Sequence, residues 1–66
     1  MAVAKVIELS SSSEQSFEDA IAKGIEKASE TVHGIKGAWV KEQKVDVSDG
    51  GITDYRVDLK VSFVLD

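Results

Sequence analysis

The sequence predicts an α+β chain whose elements run β-α-β-β. Three observations carry this. From Phe17 to Val32 an apolar residue recurs every third or fourth position, the period of a helix. From Tyr55 to Leu65 apolar and polar residues alternate, the period of a strand. Two extended segments, residues 35–47 and 52–65, flank Ser48-Asp49-Gly50-Gly51, a strong hairpin signal.

The first strand is residues 3–9, VAKVIEL, rich in β-branched side chains. Residues 10–16, SSSSEQS, read as a serine-rich loop leading into a helix cap. The helix then places Phe17, Ala20, Ile21, Gly24, Ile25, Ala28 and Val32 on one stripe, a length of about 17 residues. Ser16 followed by Asp19 fits a capping signal, and Glu18 and Asp19 suit the positive end of the helix dipole. Gly24 lies on the stripe, where a missing side chain permits close approach to a sheet. Gly34 is the expected terminator. His33 reads as a solvated last-turn residue, since no companion ligands stand near it in sequence.

In the last strand Tyr55, Val57, Leu59, Val61, Phe63 and Leu65 share one face; Arg56, Asp58, Lys60 and Ser62 share the other. The strand before it is irregular. Ile35, Trp39, Val45 and Val47 are odd-numbered, whereas Ala38 and Val40 are even. A bulge near residues 40–44 reconciles the two sets. A helix of about 17 residues spans ~25 Å, and strands of about 13 residues span ~43 Å. The excess ribbon carries Val45, Val47, Tyr55 and Val57, and a second copy is expected to cover it.

Sixty-six residues, 1–66, make one small domain, marginal as a monomer. With no cysteine, disulfides and thiolate zinc sites are excluded as supports, and self-association is the expected one. The net charge of −4 argues against nucleic acid, and no apolar run is long enough for a membrane span. Lys5 and Glu8 come too early for a signal peptide, so a cytoplasmic location is expected. One histidine and no cysteine leave no nucleophile-base set, so an enzyme is not expected. Asp46, Asp49 and Asp54 flank the hairpin turn and read as turn chemistry. Their other reading is a weak oxygen-ligand site for Ca²⁺ or Mg²⁺.

The segments KVIELSSSSEQSFEDAIAKGIEKASETVHGI, VKEQKVDV and YRVDLKVSFVLD resemble the dodecin family over nearly the whole chain. The resemblance implies a three-stranded antiparallel sheet wrapped around one helix, assembled as a hollow homododecamer. It also implies a ligand. Flavin-binding dodecins hold pairs of isoalloxazine rings between tryptophans and beside a glutamine. Matching VKEQ puts the tryptophan position at Gly37, and matching YRVDLKV puts the glutamine position at Arg56. Trp39 stands two residues further on, on the same strand face and displaced by ~7 Å. Some members lack the flavin tryptophan, and one branch binds calcium; this chain is closer to that branch around YRVDLKVSF.

The candidate cofactor-binding residues are therefore Gly37, Trp39, Glu42, Gln43 and Arg56. Metal ligands are not assignable. The expected function is small-molecule sequestration, with flavin (FMN or riboflavin) bound weakly or not at all. The alternative is a flavin-free assembly that binds divalent cations such as calcium. Trp39 is expected at an interface or in an apolar gap more than as a ligand platform.

Overall fold

β3 (Gly51–Leu65), the last strand in sequence, is the middle strand in space. It pairs antiparallel with β1 (Val3–Ser13) on one side and β2 (Ile35–Ser48) on the other. The single helix, α1 (Phe17–Ser29), packs over β1 and β3. This is a computed structural model describing residues 3–65; Met1, Ala2 and Asp66 of the predicted domain lie outside the described residues. The β-α-β-β order is as the sequence patterns predict, and the three-stranded antiparallel sheet is as the family resemblance implies.

The hydrophobic effect selects one side of the sheet. Val57, Leu59 and Val61 of β3 are 0%, 1% and 0% exposed, closed over by Ala20 of α1. Ile7 and Leu9 from β1 and Phe17, Ile21 and Ile25 from α1 pack around them. Gly24 permits the close approach expected of it. A Cβ there would stand 3.1 Å from the Ser11 Cβ and 3.3 Å from Leu9 and Leu59 methyl carbons.

Ser16 caps the helix as predicted, its hydroxyl accepting the Asp19 N–H at 2.9 Å. The serine run is corrected. Ser10 to Ser13 are not loop but the end of β1, paired with Asp58 to Tyr55. Pairing with β3 satisfies their backbone groups, which outweighs the low strand preference of serine. Ser13 is buried, and its Oγ accepts the Gln15 N–H at 2.9 Å while its O–H donates to Asp19 Oδ2 at 2.5 Å.

The helix is also shorter than predicted, 13 residues against about 17. Its end tightens: Glu30 N–H donates to Lys27 O and Thr31 N–H to Ala28 O, both at 3.2 Å and three residues back. Thr31 and Val32 are β-branched and disfavour a further turn. Gly34 does take the left-handed conformation, φ +78°, but in the link to β2.

The hairpin turn is type I′, with φ +50° at Asp49 and +78° at Gly50, between the paired Ser48 and Gly51. The irregular second strand carries a bulge between Val40 and Glu42, inside the expected stretch, and another between Ile35 and Gly37; opposite Asp46 and Val47 the extra residue, Thr53, is in β3. The ribbon makes the molecule 52 Å long, whereas a helix of 13 residues spans ~20 Å. The uncovered part is smaller than predicted. Val57 is buried in the core, Val45 is half-buried, and Tyr55 is half-buried where the Phe17 ring meets it edge-on at 5.2 Å. Val47 and Ile52 stay bare, at 61% and 52% exposure.

Candidate functional site

The face of the sheet turned away from α1 holds most of the predicted site. Cross-strand pairing sets its side chains in rows over β1, β3 and β2. The rows are Val6–Ser62–Gly37, Glu8–Lys60–Trp39, Ser10–Asp58–Glu42 and Ser12–Arg56–Lys44. The Val40/Glu42 bulge matters here. It puts the extra residue, Lys41, on the open face, where its ammonium donates to Glu8 Oε1 at 3.0 Å. That contact raises the Lys41 pKa, the hydrogen bond to Glu8 being the largest cause.

Trp39 is 60% exposed. With Val6, Lys41 and Lys60 it lines a shallow depression of about 570 Å³. Gly37 lies in the next row on the same face and is open. The nearest atom to a Cβ built there is Ser62 Oγ, 3.7 Å away. Trp39 and Gly37 thus share a face, as strand geometry predicts.

Arg56 stands elsewhere. It is two rows from Trp39, four residues along β3 or ~13 Å. Its Nε donates to Asp46 Oδ2 at 2.7 Å. That contact holds the Asp46 carboxyl below the ordinary carboxylate range and raises the Arg56 pKa. Glu42 sits between the two groups, opposite Asp58, whose Oδ1 accepts the Ser10 hydroxyl at 2.5 Å. Gln43 is on the other side of the sheet, paired with Val57. The five candidate residues therefore do not form one pocket. Gly37 and Trp39 belong together, Glu42 and Arg56 belong to a charged row beside them, and Gln43 is apart.

Val6, Lys41 and Lys60 were missing from the sequence-based set. The even-numbered alternation in β3 marks Lys60 as open-face, but only the β1–β3 register brings Val6 and Glu8 beside it.

The Dodecin family model matches residues 3–66. The chain belongs to the dodecin family. Calcium dodecin of Mycobacterium tuberculosis is 40% identical to this dodecin over 63 residues, covering 96% of this chain and 89% of the relative. The crystal structure of that calcium-chelating antigen superposes with a TM-score of 0.83 at 38% identity, covering 97% and 91% of the two chains. A point variant of the T. thermophilus dodecin superposes with a TM-score of 0.94 at 32% identity, covering 100% and 98%. This dodecin thus has both a dodecin and a calcium dodecin among its relatives. Among the described residues no helix is long and apolar enough to cross a membrane.

Proposed function

We propose that this dodecin is the subunit of a hollow homo-oligomer, a dodecamer, that sequesters a flat aromatic anion of the flavin type without turning it over. The supporting observation is Trp39, a large aromatic surface 60% exposed on the open face, with Lys60 and Lys41 beside it. Lys60 has no ion-pair partner among the described residues and is the natural contact for a phosphate. A ring lying over Gly37 and Ser62 would stack against the indole, in space that no side chain at residue 37 fills. Arg56, tied to Asp46, takes no part.

The test is a titration of FMN and riboflavin, following flavin fluorescence. In place of the weak or absent binding that the sequence suggests, the exposed Trp39 beside Lys41 and Lys60 leads us to expect quenching, tighter for FMN. Trp39→Ala should weaken it about tenfold, the worth of one stacked aromatic contact. Lys60→Ala should remove the preference for FMN. Quenching unchanged by Trp39→Ala would place the ligand elsewhere.

A second reading rests on the directly opposed carboxylates Glu42 and Asp58. Like charges in register repel, and a divalent cation such as calcium would relieve that. Among the described residues no three acidic, histidine or cysteine side chains gather into a metal site, so the remaining ligands would come from a second copy or from water. Calorimetric titration with Ca²⁺ should show binding that Glu42→Gln abolishes while leaving flavin quenching intact.

A further inference from the structure

We propose that the β2–β3 hairpin tip of one copy seats in the groove between α1 and β1 of a second copy, an inference that rests on the assembly part of the reading above. The groove has a volume of about 390 Å³. Ile7, Leu9, Ala28 and Val32 form its apolar floor, and Lys23 and Lys27 its rim. β1 is an edge strand, so the groove is open at the side of the sheet.

The tip has the complementary chemistry. The bulge at Asp46/Val47 shifts the register of β3 by one residue, which turns Ile52 to the helix side opposite Val47. Both lie past Ser13↔Tyr55, the last β1–β3 pair, so their own chain supplies no strand or helix to cover them. Asp49, in the turn beside this apolar pair, has no ion-pair partner among the described residues. Among the described residues Lys23 and Lys27 pair only with Asp19 and Glu30 of their own helix region, at 3.0 and 3.6 Å. Such exposed pairs are weak and leave the ammonium groups available to the tip.

The occupant must be another copy. Ile7 and Leu9 lie opposite Val61 and Leu59, seven to nine residues along β3 from Ile52, or ~23–30 Å. A stiff paired ribbon cannot fold back over that distance. Tip and groove are different surfaces, so the contact runs head to tail and builds a closed ring where the rotation permits.

The chain has no cysteine, so introduced thiols report directly. Ile52→Cys combined with Lys27→Cys should give covalent multimers on oxidation, seen on a non-reducing gel, where either single variant gives none larger than a dimer. Ile52→Asp should raise the concentration for half-assembly roughly tenfold or more, read by light scattering. The cross-link decides if the two disagree or if Ile52→Asp does not fold. A wild type that assembles while the double variant stays uncross-linked overturns the tip-in-groove contact alone. A wild type that is monomeric by light scattering overturns the assembly reading with it.

Discussion

On the helix side of β3, Val57, Leu59 and Val61 are sealed from water; one residue away on the open side, Arg56 and Lys60 stand in it. The same backbone carries both sets. On the helix side the dominant force is removal of apolar area from water, which does not depend on direction. On the open side the forces are charge pairing and hydrogen bonding, which depend on which residue stands opposite which. Stability is therefore concentrated on one face, and side-chain chemistry is freer to vary on the other.

The largest test of this contrast is Leu59→Ala beside Lys60→Ala. Loss of a fully buried leucine should cost about 2–5 kcal/mol per subunit, and loss of the exposed lysine no more than about 0.5 kcal/mol. Urea unfolding followed by circular dichroism reads both. Equal losses would mean that the open face also holds the fold together. Ser16→Ala comes next. It removes the hydroxyl that accepts the Asp19 N–H and should cost about 1 kcal/mol, read as a lower Tm with flavin quenching unchanged.

The smallest effect is acid sensitivity. The Asp19 carboxyl is held below its ordinary value of 3.8, first by the Ser13 hydroxyl and then by Lys23. Asp46 is held below the same value, first by Arg56. A depressed carboxylate contributes stability that is full above its unfolded pKa and is lost as pH falls through its folded one. Tm should therefore hold from pH 7 to about 5 and drop below about 4. Asp19→Asn should flatten that drop more than Asp46→Asn, because Asp19 bonds a buried serine and Asp46 an exposed arginine. Equal flattening would show that the open-face ion pair contributes as much as the helix start.

The same contrast explains what could be read from the sequence. The helix stripe, the β3 alternation and the SDGG turn are local patterns, and the element order follows from them. The serine run misled because its strand is imposed by β3, 42 or more residues away in the register Ser13↔Tyr55. Small residues suit that place, since Ser11 lies where Gly24 brings the helix closest. One bulge in β2 was visible as a break in parity near residues 40–44; the other, at Lys36, and the one in β3, at Thr53, depend on the partner strand's backbone. At the candidate site, Trp39 and Gly37 were legible as neighbours on one face. Gln43 lies on the opposite face from Trp39 because the bulge shifts parity between Val40 and Glu42. Val6 and Lys60 belong to strands whose register no local pattern specifies.

The strand order also imposes a schedule on synthesis. Among the described residues β3 is the only strand to which β1 is bonded, and Val3 is paired with Leu65. At about 5–20 residues per second, the ribosome makes Leu65 roughly 3–12 s after Val3. Throughout that interval Val6, Ile7 and Leu9 have no sheet to join. The helix can form early, but the core it covers consists mainly of residues made last. Folding is thus deferred until the whole of β3 has left the ribosome.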